Sequence, residues 1–180
     1  MSTLVNVFQF TQLWFNKHSR QFKRGDAIDL CSRVQNVSKA MVCLPKEAQH
    51  LYPAKEMLEV LTKAYSNWRV TLVYDNRLSP GNWVNKYENY SFSEQELTFF
   101  GRPKKELTKT LSKLHPDVAF DLSHDYNFTN VSLVWLSRAD IRVGFYHDIR
   151  KDFYNFLFRK NPQTPVERSY QLLFEYFHAL

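Results

Sequence analysis

The chain has 180 residues and a formal net charge of +6; 44% of it is hydrophobic, 16% aromatic and 23% charged. That is the profile of one soluble globular domain with a substantial core, and it excludes a disordered or low-complexity protein. Only four glycines are present, and neither G-x-G-x-x-G nor G-x-x-x-x-G-K-[ST] occurs, which excludes a glycine-rich nucleotide site of either kind.

Residues 1–24 contain Lys17, Arg20, Lys23 and Arg24 and no acid, which leaves only +2 for the rest of the chain. The basic excess is a property of this arm, so no nucleic-acid partner is expected. At 3.6-residue spacing Leu4, Val7, Phe8, Trp14, Phe15 and Phe22 share one face, with Asn6, Gln9, Asn16, Lys17 and Arg20 opposite. The arm therefore reads as an N-terminal amphipathic helix. Two roles remain open for it: packing across the body or a second subunit, or lying on an anionic membrane surface. Packing is preferred, because the bases are few and crowded at one end. Residues 25–38 read as a connector.

From Lys39 the pattern becomes regular. "KAMVCL" reads as a strand, followed by a helical stretch from Glu47 to Tyr65 that starts or kinks near Pro53. "WRVTLVY" is a second strand, and Pro80-Gly81 marks a turn before a third strand around Tyr90–Phe92. After a turn at Gly101, Pro103 opens the helix "KKELTKTLSKLH". "DVAFDL", "NFTNVSLVWLSR" and "IRVGFY" read as strand, helix and strand, "RKDFYNFLFR" as a short helix, and "VERSYQLLFEYFHAL" as a closing helix. Strand and helix alternate at least four times. The expected fold is a three-layer α/β domain of Rossmann type over residues 39–180, with a mostly parallel sheet of five or more strands.

Cys31 and Cys43 are the only cysteines, and neither lies in a C-x-x-C. Cys43 sits in an apolar run and reads as a buried thiol, without disulfide or nucleophilic chemistry. No segment is long and apolar enough to span a membrane, and the N-terminus lacks a secretory leader pattern. A cytoplasmic protein is expected, peripheral to the inner membrane if the arm is interfacial.

Asp121-Leu122 at a strand end, Ser137-Arg138-Ala139, and Arg142-Val143-Gly144-Phe145 occur in that order, after "AMVCLPKEAQHLYPAKEMLEVLTKAYSNWRVTLVY". Together with the closing "ERSYQLLFEYFHAL" they resemble the N-terminal half of glycosyltransferase family 9, the heptosyltransferase family. The segments "ELTFFGRPKKEL", "FDLS" and "RVGFY" also resemble small bacterial proteins that consist of such a domain behind a basic helix. Counting back from Pro53, the family's Gly-Asp turn falls on Lys46-Glu47. The resemblance implies that Glu47 stands where the family has its general base, with one methylene more. Lys46 in place of glycine re-charges that turn and narrows a sugar's approach to the backbone. The family's enzymes have a two-domain GT-B arrangement whose second domain binds most of the sugar nucleotide. The resemblance to the first domain therefore implies a binding or interaction module, or an acceptor-binding subunit whose donor lobe is a separate polypeptide.

In a parallel sheet the loops after the strands face one crevice. That rule gathers Lys46 and Glu47, Asp75 and Arg77, Asp121, His124 and Asp125, and His147, Asp148 and Arg150. Lys46, Asp121, His124, Asp125, His147 and Asp148 are candidate ligands for sugar hydroxyls or a lipid-linked saccharide, with Glu47 as the candidate base. The competing reading makes Asp125 and Asp148 helix caps. A metal-dependent hydrolase using His124, Asp125, His147 and Asp148 is a weaker alternative, and no cofactor is implied. His50, His115 and His178 read as surface or packing residues. The aromatic run Phe153–Phe158 reads as core, or as a dimer or partner-domain face where exposed.

Overall fold

A computed structural model describes residues 29–180; the sequence-predicted arm helix, residues 1–24, lies outside them. Six strands form one sheet in the order β3-β2-β1-β4-β5-β6, and every neighbouring pair is parallel. They are β1 (Lys39–Cys43), β2 (Arg69–Asp75), β3 (Glu88–Phe92), β4 (Val118–Asp121), β5 (Ile141–Phe145) and β6 (Phe156–Phe158). The helices are α1 (Leu30–Gln35), α2 (Leu51–Ala64), α3 (Lys105–Leu114), α4 (Phe128–Ser137) and α5 (Val166–His178). This strand order is the Rossmann order, and it reverses between β1 and β4.

Period-two alternation divides the core. Ala40 and Val42 of β1 and Leu44 just after it, with Val118, Phe120, Ile141, Val143 and Phe145, pack towards α1, α2 and α5. Met41, Cys43, Val73 and Ala119 face the other way, against α3 and α4. Because both faces are covered, the central strands read as nearly continuous apolar runs. Asp121 closes β4 on the same side as Ala119, so its carboxylate enters the α3/α4 layer without touching solvent.

Three elements differ from the sequence reading, and the start of α2 near Pro53 is as that reading has it. The connector contains α1, begun by Asp29, whose side chain accepts from the Cys31 and Ser32 backbone N–H groups. A 3-10 turn over Ala48–His50 precedes α2, and Pro53 sits at the third helical position, where no intrahelical donor is needed. Pro103 lies ahead of α3, paired with Leu97 in an isolated antiparallel bridge. The run expected as a short helix after β5 is instead a 3-10 turn over Arg150–Asp152 followed by β6. A three-residue edge strand shows too little alternation to be separated from a helix by pattern.

Candidate functional site

Three groups of side chains line the edge where the strands end. The first is a buried lock at β4 and β5. Asp121 and Arg150 are both wholly buried, with Oδ2 and Nη2 3.4 Å apart. Asp121 Oδ1 accepts from the Ser123 N–H at 2.9 Å and from Asn130 Nδ2 at 3.3 Å, while Oδ2 accepts from the Tyr154 hydroxyl at 2.8 Å. Arg150 donates to the carbonyls of Ser123 and Phe145, each at 3.0 Å, and to that of Asp125. Asn130 Nδ2 also bonds the Leu44 carbonyl at 2.9 Å, tying β1 to α4. Burial first, and the Asp121 charge second, push the Tyr154 hydroxyl and the Cys43 thiol well above their usual ranges, so both stay protonated. Gly144 makes the lock fit: a Cβ there would meet Tyr154 Cε1 at 3.0 Å.

The second group surrounds His124. Its ring lies among Phe145, Tyr170 and His50, with centroids 5.2, 6.4 and 5.3 Å away. Lys160 Nζ sits 2.7 Å from His124 Nδ1 and 3.0 Å from Asp125 Oδ1. Since an ammonium can only donate, Nδ1 accepts and the proton resides on Nε2, which is buried without a partner among the described residues. Burial and then the Lys160 charge push the His124 imidazole down, whereas the Lys160 hydrogen bond holds Asp125 below the usual carboxylate range. His50 is buried, with Nδ1 3.6 Å from Glu47 Oε2, and neither of these atoms makes a hydrogen bond. Sequence reasoning missed both His50 and Lys160. Lys160 follows β6, so placing that strand would have put it in the same row of loops.

The third group is open. A cleft of about 410 Å³ is walled by Lys46 and Glu47 after β1, Arg77 after β2, and Tyr126 and the start of α4. Its rim is Phe99 and Phe100; Phe99 is 95% exposed. Gly101, at φ +79°, turns this rim, and its carbonyl accepts from Thr129 Oγ1 at 2.9 Å. Arg77 makes a two-pronged ion pair with Asp75 and reaches Glu94 at 3.2 Å. Those contacts hold Asp75 below its usual range and Arg77 above its own. Tyr126 stacks on His147 at 5.1 Å, and burial pushes its hydroxyl up to about 12.

Of the sequence-predicted residues, then, Lys46 and Glu47 face the cleft. His124 and Asp125 join Lys160, and His147 backs Tyr126. Asp121 is locked inside, and Asp148 accepts from the Tyr146 hydroxyl at 2.9 Å. Neither Asp125 nor Asp148 is a cap: Asn127 caps α4, accepting from the Asn130 N–H at 3.2 Å, and no side chain caps the turn at Arg150–Asp152. Among the described residues no group of three or more His, Cys, Asp or Glu could hold a metal ion. Phe153 and Tyr154 are core, and Phe156 and Phe158 pack against Phe177 and Phe145. No helix among the described residues is long and apolar enough to cross a membrane.

The model of a family of unknown function, DUF6913, matches residues 12–180. No curated protein matches the sequence. Among solved structures, a glycosyl transferase family 9 protein from Veillonella parvula DSM 2008 is similar, with a TM-score of 0.64 and 18% sequence identity. The likeness covers 79% of this chain and 42% of that one, so the chain spans less than half the length of the structure it matches. At that identity the likeness shows a shared fold, that of a glycosyltransferase family 9 domain.

Proposed function

The chain belongs to the DUF6913 family, and from its site we propose that it is a saccharide-binding module built on a glycosyltransferase-like Rossmann domain. The observation that carries this reading is the 410 Å³ cleft, in which two cations and two carboxylates (Lys46, Arg77, Glu47 and Glu94) meet aromatic walls. Paired charges of both signs donate to and accept from hydroxyl groups, while Tyr126 and Phe99 offer faces to the apolar side of a pyranose ring. The charges balance, which suits a neutral or weakly charged sugar better than a polyphosphate. Binding rather than catalysis is favoured because the ionisable groups after β4 and β5 are committed to internal bonds.

A second reading has one observation in its favour. Glu47 has a buried, unbonded carboxylate oxygen beside His50 at the cleft wall, an arrangement able to take a proton from a hydroxyl. In that reading the chain is the acceptor-binding part of a two-chain transferase, its ligand a lipid-linked saccharide.

The test is thermal denaturation with a panel of neutral and acidic oligosaccharides and short-chain lipid-linked saccharides. A ligand at a hundred times its Kd adds about 2.7 kcal/mol, a rise of about 5–10 °C for a chain of this size. Phe99→Ala and Lys46→Ala, both at exposed positions, should each weaken binding about tenfold without lowering the ligand-free melting temperature. A panel without any shift, or variants that bind like the parent, overturns the proposal. Glu47→Gln separates the readings: it retains binding in both, and abolishes transfer only in the second.

A further inference from the structure

Beside the open cleft lies a smaller pocket of about 80 Å³. It shares Lys46, Arg77, Leu97, Asn127 and Thr129 with the cleft, and so adjoins it as a side chamber. One water takes up about 30 Å³ of the liquid, so the pocket has room for a small substituent and not for a second pyranose ring. Its floor is apolar: Leu44 and Phe92 are buried, and Leu78 and Leu97 are half-buried. Two amide side chains add polar atoms. Asn130 is 4% exposed, and its Nδ2 faces the Leu44 carbonyl at 2.9 Å, Ser123 Oγ at 2.8 Å and Asp121 Oδ1 at 3.3 Å. A carbonyl and a carboxylate only accept, so these contacts fix which way the amide points. Among the described residues Asn130 Oδ1 accepts no hydrogen bond. Asn127 is set the other way: its Oδ1 caps α4 by accepting from the Asn130 N–H at 3.2 Å. Its Nδ2 is left without a partner among the described residues.

We propose that this side pocket takes the acetamido group of an N-acetylated amino sugar. Its methyl rests on Leu44, Leu78 and Phe92, its N–H donates to Asn130 Oδ1, and its carbonyl accepts from Asn127 Nδ2. The inference rests on the saccharide reading of the cleft and narrows it to one class of sugar. A secondary amide with a methyl cap is the substituent that matches one acceptor and one donor over an apolar floor. A carboxylate or phosphate fits worse. Either would meet Asn130 Oδ1 acceptor to acceptor, and Arg77 at the pocket wall is already committed to Asp75 and Glu94. A hydroxyl in place of the acetamido group leaves the floor uncovered and the two amide groups unmet. A site built to hydrogen-bond a substituent discriminates against the analogue without it for that reason.

The test is isothermal titration calorimetry of the full chain with triacetylchitotriose and with cellotriose. These two sugars differ only in carrying an acetamido group or a hydroxyl on the second carbon of each ring. The parent protein should bind triacetylchitotriose about tenfold more tightly, or better. Asn127→Asp keeps an oxygen to cap α4 and removes the donor. Its ligand-free melting temperature should therefore hold, while the preference falls to about twofold or less. Leu78→Trp fills the pocket from its wall and should abolish the preference by a separate route. Equal binding of the two sugars by the parent overturns this inference and leaves the saccharide reading standing. Binding of other saccharides without triacetylchitotriose does the same. No binding of any saccharide overturns both. A preference that survives both variants has its origin outside the pocket and overturns the inference as well.

Discussion

Replacing Arg150 with methionine tests whether the β4–β5 network is a structural lock. The guanidinium has no solvent exposure, lies 3.4 Å from Asp121 Oδ2, and donates to three carbonyls, of Ser123, Phe145 and Asp125. Methionine fills part of the volume but leaves a wholly buried carboxylate with only neutral donors: Ser123 N–H, Asn130 and the Tyr154 hydroxyl. Stranding one member of a buried pair costs about 3–5 kcal/mol, a large share of the roughly 5–15 kcal/mol that holds a domain folded. For this chain length the melting temperature should fall by about 6–20 °C. Asp121→Asn should cost less, about 1–3 kcal/mol, because an amide oxygen still accepts and Arg150 keeps its three carbonyls. The double variant removes both charges, so its loss should be smaller than the sum by about 1–3 kcal/mol. Urea unfolding of the four proteins, with unchanged m-values, measures the cycle. A loss below about 1 kcal/mol for Arg150→Met, or strict additivity, would refute the lock.

Further predictions follow from the same geometry. Gly144→Ala places a Cβ 3.0 Å from Tyr154 Cε1, so it should cost about 1–3 kcal/mol by overpacking. That cost should largely disappear in a Tyr154→Ala background, measured by the same urea curves. The folded-state imidazoles of His124 and His147 are both depressed, mainly by burial. The unfolded chain therefore binds more protons below about pH 6.5, and stability should fall as pH drops from there through the folded values. Thermal melts between pH 7.5 and about 5 should show this slope, and His124→Asn should flatten it. If the slope is unchanged, His124 is not the titrating group.

The core of the fold was legible because parallel strands covered on both faces leave continuous apolar runs, and β1, β2, β4 and β5 all have them. The edges were not. β6 is three half-buried residues, and α1 buries only Val34; both are too short to show a period, although Asp29 at the α1 start is a readable cap. The candidate site was legible as a row of loops but not as a division of labour. Lys46 and Glu47 lie beside the cleft because the loop after β1 is short and fixed by the following helix. Asp121, read as a candidate ligand at the crevice, is instead buried, because alternation with Ala119 aims it into the helix layer. Its partners Tyr154 and Asn130 lie 33 and 9 residues away, beyond any local spacing rule.

The position of Asp121 also bears on what a glycosyltransferase-like strand end means in this chain. Asp-Leu at the end of β4 and Arg-x-Gly-Phe in β5 are the motifs that carry the family resemblance, and in this molecule Asp121 and Gly144 from them serve one purpose. Gly144 clears space for the Tyr154 ring, Tyr154 and Arg150 hold Asp121, and Arg150 in turn pins the carbonyls of the loop that leads to α4. Tyr126 and the α4 start, which wall the cleft, hang from that loop. The motif residues therefore shape the cleft rather than line it. Substitutions in the lock should change stability and binding together, whereas Phe99→Ala and Lys46→Ala should change binding alone. A lock variant that weakens saccharide binding at full stability would assign Asp121 a direct contact and break this separation.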